Sequence, residues 1–331
     1  MNQRPNLLIL IELDTDDCIG YYTCVDKQLP IIDQEMARAE KLLRSLVGGT
    51  INTLTVNSLG TEDAPFLGLV VSKLSPIIGN LLERKIMEIM EHDSNNSFKW
   101  QRQDPDFPDV VLLDKTGKST HNGYEVKAWY ALSTELTGRF RESTNLLSGR
   151  NVRLVVVAWV MSHIVYGSPL IVDVLSVDAA SVAAQRDRHY HKPPQYLTVE
   201  PRDTTARTRN LQQTNVNGYR IQESNPTRLE EAQNLVDGHS GKTADPHTLE
   251  AQVLNTELMN RFAYRLDTNF AKVDRIDHPG IEKFKTTVLN HTERGQKLSQ
   301  WASIIKALND DTKPDKQKKA GEIIKAIYSK L

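Results

Sequence analysis

The chain is short of cysteine, with two in 331 residues, Cys18 and Cys24. That excludes a disulfide framework, and no four Cys/His ligands stand at zinc-finger spacing. Both cysteines read as reduced thiols of a cytoplasmic protein. Long hydrophobic runs are missing as well. Nowhere do eighteen apolar residues follow one another, so no bilayer span and no membrane partner are expected. Residues 7–13 are apolar apart from Glu12, but they lack the basic flank, length and cleavage site of a signal peptide. An excess of charge of either sign is absent too, since 41 Lys+Arg face 42 Asp+Glu. Any nucleic-acid surface must therefore come from local segregation of charge. Internal repeats and low-complexity tracts do not occur, and the length suits one large or two modest domains.

What is present is a run of alternating patterns. Residues 7–13 read as a buried strand. Pro30 opens a helical pattern carried by Ile31, Ile32, Met36, Ala39, Leu42, Leu43 and Leu46, and Gly48-Gly49 ends it. Ile51, Leu54 and Val56 suggest a short strand. Ser75-Pro76 starts a helix that runs to about His92, with a wide apolar face that includes Ile78, Leu82, Ile86 and Met90. Residues 98–102 and 109–114 read as strands, 115–122 as a turn, 123–129 as a strand and 132–147 as a helix. Residues 152–161 and 170–177 are very apolar strands. This order predicts an α/β fold, a mixed sheet flanked by helices. Residues 185–228 then break the pattern, with eight basic against four acidic side chains and many Thr, Asn and Gln. Residues 246–331 look mostly helical.

The chemistry gathers at Pro108-Asp109 and Glu125-Val126-Lys127. An antiparallel hairpin centred near residue 118 places Asp109 opposite Lys127 and Val111 opposite Glu125. Side chains two apart in a strand share a face, so three ionisable groups converge beside an apolar hairpin. Two carboxylates buried side by side need a cation. A divalent metal serves better than one lysine, and paired carboxylates with open positions suit Mg2+. A carboxylate-held Mg2+ beside a lysine suits phosphodiester hydrolysis. The plainer alternative is an ordinary exposed ion-pair cluster on a hairpin. Pro105-Asp106 is a second Pro-Asp pair and Asp104 lies near, but Asp109 opens the apolar strand directly. Asp114 reads as a turn residue.

These residues and their helix–hairpin–helix–strand setting resemble the PD-(D/E)xK nuclease signature and core over about residues 75–177. Within that superfamily the chain looks most like a type II restriction endonuclease. The resemblance implies a restriction-endonuclease-like core with an additional, mostly helical C-terminal region. It implies Asp109 and Glu125 as metal ligands for Mg2+, Lys127 as the catalytic lysine, and an acid from the preceding helix. Glu83 matches that acid best, ahead of Glu88 and Glu91. The implied activity is sequence-specific hydrolysis of double-stranded DNA to 5′-phosphate and 3′-hydroxyl ends, in a prokaryotic cytoplasm. A homodimer would match two-fold DNA sites, and a cognate DNA methyltransferase would be the companion. A repair, recombination or structure-selective nuclease of the same fold, and a non-catalytic DNA-binding protein on a degenerate nuclease fold, stay open.

On this reading residues 1–74 hold α/β elements packed on the core and 75–184 form the core. Residues 185–245 form a basic recognition segment, and 246–331 a helical region that could dimerise, together with the helix over 28–47. Arg and Lys grip phosphate and guanine, and Asn and Gln can read adenine. Arg202, Arg207, Arg209, Asn210, Gln212, Gln213, Asn215 and Asn217 are therefore candidate DNA contacts, the alternative being a solvated loop. Arg139 and Arg141, on the helix after the motif strand, are candidates too, or else lie on a solvated helix face. The terminal Lys313, Lys316, Lys318 and Lys319 read as a soluble surface. His189 and His191 lack companions for a metal site. Residues 238–243 resemble a phosphate loop only loosely, because Val236 fills the first glycine position and no strand precedes it.

Overall fold

A computed structural model of the chain describes residues 19–57, 62–92, 97–103, 106–133, 135–188, 196–201, 218–221, 223, 225–239, 249–262, 264–266, 271–308, 310 and 312–328. The strand expected over 7–13 lies outside them. Helix α1 (Ile19–Ser45) starts well before Pro30 and runs through it, at the cost of one backbone hydrogen bond. Gly48, with φ +81°, stands just past its end, as the Gly48-Gly49 stop signal predicts. Residues 50–56 do not form a strand of their own. Instead Gly48, Gly49, Ile51 and Val56 hydrogen-bond the backbone of Gly167, Pro169 and Ile171. They cover the open edge of the last sheet strand and so hide an edge that would otherwise pair with another chain.

Helix α2 (Ala64–Val70), a 3-10 turn (Val71–Leu74) and α3 (Ser75–His92) form one helical run. Ser75 therefore sits inside a helix instead of capping one, and its hydroxyl donates to Ser72 O at 2.8 Å. Among the described residues this run is the one long and apolar enough to cross a membrane, with mean hydropathy 1.5 over its window. Its line of Ile78, Leu82, Ile86 and Met90 is buried in the protein core, while Phe66 and Ile77 on the same run are exposed.

Strands β1 (Phe98–Arg102), β2 (Val110–Asp114), β3 (Ser119–Tyr130), β4 (Asn151–Met161) and β5 (Pro169–Asp178) follow. They lie side by side in chain order as a mixed sheet. Within this sheet only the β3–β4 pair is parallel. Strand β4 is buried almost throughout, from Leu154 to Met161, which is why it reads as a continuous apolar run.

The parallel pair has a topological cost. The chain must return from the end of β3 to the start of β4, a crossover that proteins usually make with a helix. The predicted 132–147 helix is absent. Residues 135–143 run as an extended strap, and only α4 (Thr144–Leu147) is helical. Glycine at position 138 weakens any helix there, and the strap's backbone finds partners elsewhere. Phe140 N donates to Ala271 O at 2.7 Å and Val273 N to Gly138 O at 2.8 Å.

Helix α5 (Ala179–Arg188) closes this half. Strands β6 (Tyr196–Pro201) and β7 (Gly218–Ile221), helices α6 (Pro226–Gly238) and α7 (Leu249–Phe262), and β8 (Tyr264–Leu266) build a smaller unit. Its three-stranded sheet has the order β7-β6-β8, and Ala232, Val236, Leu254, Leu258, Met259, Phe262 and Tyr264 form its own core. Val236 lies within α6, and residues 240–243 of the loose phosphate-loop resemblance lie outside the described residues. Helix α8 (Pro279–Asn290), a short β9–β10 hairpin (Thr292–Glu293, Gln296–Lys297), α9 (Leu298–Leu308) and α10 (Pro314–Tyr328) return to the large core through Ile281, Phe284, Trp301, Ile305 and Ile324. The residues of 246–331 thus divide between the two cores.

Candidate active site

The hairpin that carries the motif closes more tightly than a turn over 115–122 allows. Asp114 N donates to Lys118 O at 2.9 Å, and Gly117 takes φ +79°, which glycine adopts without strain. Asp114 Oδ1 accepts from Thr116 N at 2.8 Å and Lys118 N at 3.0 Å, so this carboxylate is spent on the turn. A register irregularity between Val111 and Leu113 follows, after which Val111 pairs with Gly123 and Val110 with Tyr124. One more step brings Asp109 level with Glu125, not with Lys127. The expected register is thus corrected by two residues. A two-residue slip keeps each side chain on its face, so the three groups still meet.

Glu125, Lys127 and Trp129 share one face of β3 by alternation, and Trp129 packs on Phe284 of α8 at 6.1 Å between centroids. Lys127 Nζ lies 2.5 Å from Glu125 Oε1 and 3.6 Å from Asp109 Oδ2. It also donates to Val126 O at 3.1 Å. Asp109 Oδ2 accepts from Val126 N at 2.7 Å. Side-chain exposure is 20% for Asp109, 13% for Glu125 and 16% for Lys127. All three are mostly buried, each with an opening to solvent, which separates this cluster from an ordinary surface ion pair.

Electrostatics here run against Glu125 and Glu83. Burial pushes Glu125 up to about 7, and Asp109 and Glu142 push the same way against the pull of Lys127. Burial alone would lower the Lys127 ammonium, but Glu125 and Asp109 outweigh it and hold it above its ordinary range. Glu83 feels the same field. Burial, then the charge of Asp109, raises it despite Arg102. Arg102 Nε and Nη2 both reach Glu83 Oε2, at 2.9 and 2.7 Å. Of the weaker helix candidates, Glu88 pairs with Arg84 at 2.7 Å and Glu91 accepts from Trp100 N at 2.7 Å. Neither joins the cluster.

The donor set suits a hard cation. Asp109 and Glu125 each commit one oxygen to the contacts above, and the Val126 carbonyl faces the same ammonium. Among the described residues no three Asp, Glu, His or Cys groups form a complete metal cage. Mg2+ does not require one, because it is commonly held by one or two carboxylates with waters and substrate phosphate. Asp109 and Glu125 fit that pattern.

Two participants escape a reading of the motif alone. Glu142 is 7% exposed and close enough to Glu125 to raise it. Arg186 falls within the basic 185–228 segment of the sequence, yet it is 1% exposed and serves the strap. No local pattern marks either residue, since their surroundings are assembled from distant segments. Arg139 and Arg141 lie on the extended strap, not on a helix face, and both are half-buried. Arg139 forms a backbone bridge with Lys272. Arg202, Arg207, Arg209, Asn210, Gln212, Gln213, Asn215 and Asn217 lie outside the described residues, as do His189 and His191. Comparison with protein-family models, with curated proteins and with solved structures found no match.

Proposed function

We propose that the chain is a Mg2+-dependent endonuclease for double-stranded DNA, on a restriction-endonuclease-like core. The observation that carries this reading is the meeting of Asp109, Glu125 and Lys127 in one partly open cluster, with Glu83 within its field. Asp109 and Glu125 would hold the metal. When bound, Mg2+ would polarise a non-bridging phosphate oxygen and make its coordinated water more acidic. Lys127 would orient the attacking water or neutralise charge that develops on phosphorus oxygens. Water would attack in line opposite the 3′ oxygen, giving 5′-phosphate and 3′-hydroxyl ends. Arg139 and Arg141, on the strap beside Lys127, would grip the backbone near the scissile phosphate. The basic Asn/Gln-rich segment that joins β6 to β7 in the chain would read bases. Site-specific cleavage by a homodimer, paired in the cell with a DNA methyltransferase, is the form this activity would take.

The test is digestion of a long unmethylated DNA of known sequence, with Mg2+ and with EDTA. Discrete fragments that vanish in EDTA are expected, and their mapped ends would give the site and stagger. Cleavage without sequence preference would replace the restriction reading with a structure-selective or repair nuclease. A band shift with no cleavage would leave a DNA-binding protein.

A further inference from the structure

The strap over 135–143 crosses the face of β3 that carries Lys127. A Cβ placed on Gly138 would lie 3.1, 3.2 and 3.3 Å from Lys127 Cδ, Cβ and Cγ. Gly138 is not among the glycines with positive φ. An added Cβ would be a tight contact, so the Lys127 stem would have to give by a few tenths of an ångström. The stem of Lys127 runs in a slot whose roof is the Gly138 backbone, while its head meets Glu125 and Asp109.

The roof is held from two sides. Val273 N and Ala271 O bind the backbone of Gly138 and Phe140. From α5, Arg186 Nη1 donates to Phe140 O at 2.8 Å and Nη2 to Glu142 O at 3.1 Å. Its guanidinium also lies 5.9 Å from the Phe140 ring centroid. Burying a guanidinium is costly unless its donors are used. Here they serve carbonyls that a helix would have satisfied internally.

We propose that Gly138 and Arg186 are positioning residues for Lys127. Arg186 fixes the height of the strap, and the missing Cβ at Gly138 leaves the slot wide enough for the lysine stem. The ammonium is thereby kept against Glu125 and Asp109. The consequence for catalysis rests on the nuclease reading, whereas the slot itself does not.

The test uses full-length Gly138→Ala, Gly138→Val and Arg186→Lys with two readouts. One is single-turnover DNA cleavage in Mg2+ across pH. The other is the acetylation rate of Lys127 by acetic anhydride, mapped by peptide mass spectrometry against the other lysines. Gly138→Ala is expected to slow the chemical step about tenfold, since small misplacements of a catalytic group are costly. It should leave the enzyme concentration for half-maximal single-turnover rate within about twofold, the pattern of a loss confined to the transition state. Lys127 acetylation should rise severalfold. Gly138→Val should exceed Gly138→Ala in both readouts, and Arg186→Lys should move them in the same direction. A folded Gly138→Ala with wild-type acetylation of Lys127 overturns the inference. A lowered Tm for Arg186→Lys with acetylation unchanged removes Arg186 from it. If the wild type cleaves no DNA, the nuclease reading fails while acetylation still decides the slot.

Discussion

Two buried acids, on α1 and β3, show how differently one protein can treat a carboxylate. Glu35 is 3% exposed and fully engaged. Arg38 grips both of its oxygens, at 2.6 and 3.0 Å, and Trp100 Nε1 donates to it at 2.7 Å. That fork-and-carboxylate geometry is a structural ion pair. Glu125 has one ammonium at 2.5 Å and two further carboxylates, Asp109 and Glu142, whose charges oppose its ionisation. Arg38 offsets Glu35 directly, whereas Glu125 shares the one Lys127 ammonium with Asp109. On the proposed reading, a bound cation would offset the charge of these carboxylates.

The largest effect that would sharpen this contrast is catalytic. Lys127→Ala should lower single-turnover DNA cleavage by about 10²- to 10³-fold, the usual loss for one stabilising donor. Unchanged cleavage would reduce the cluster to an ion pair. Next is stability in EDTA at pH 8, measured by urea unfolding. Glu35→Gln removes the charge partner of the half-buried Arg38 guanidinium and should cost about 2 kcal/mol. Glu125→Gln relieves repulsion and should cost under about 1 kcal/mol. Equal losses would erase the distinction between the two acids.

The pH dependence gives a third handle. Glu125 is raised from 4.5 to about 7 in the folded protein. Its contribution to stability is therefore fully present below pH 4.5 and lost as pH rises through about 7. Unfolding of metal-free wild type should show this decline between those values, and Glu125→Gln should lack it. The smallest effect concerns DNA grip. Arg139→Ala and Arg141→Ala should each weaken binding severalfold and lower the slope of log Kd against log salt by about 1. Band shifts at several salt concentrations check this.

The sheet was legible because its strands are apolar runs bounded by turn residues, and β4, buried on both faces, is the clearest of them. The site was legible because alternation puts Glu125 and Lys127 on one face whatever the turn does. The register was off by two residues because the Asp114–Lys118 turn and the irregularity after Val111 follow from local hydrogen bonds, not from periodicity. The strap could not be read. Its backbone partners come from residues 271–274 and from Arg186, and tertiary partners override local helix preference. For the same reason Arg186 looked like one more cation in a basic segment, and Glu142 had no assigned role.

A cation site at Asp109 and Glu125 is tested most directly by titrating Mg2+ into the metal-free protein in a calorimeter, without DNA. Wild type should bind Mg2+, and the Asp109→Asn, Glu125→Gln double variant should not, while Glu35→Gln, if folded, should bind as wild type does. Identical binding by wild type and the double variant, or no binding by wild type at tens of millimolar Mg2+, would contradict a cation site built on these two carboxylates.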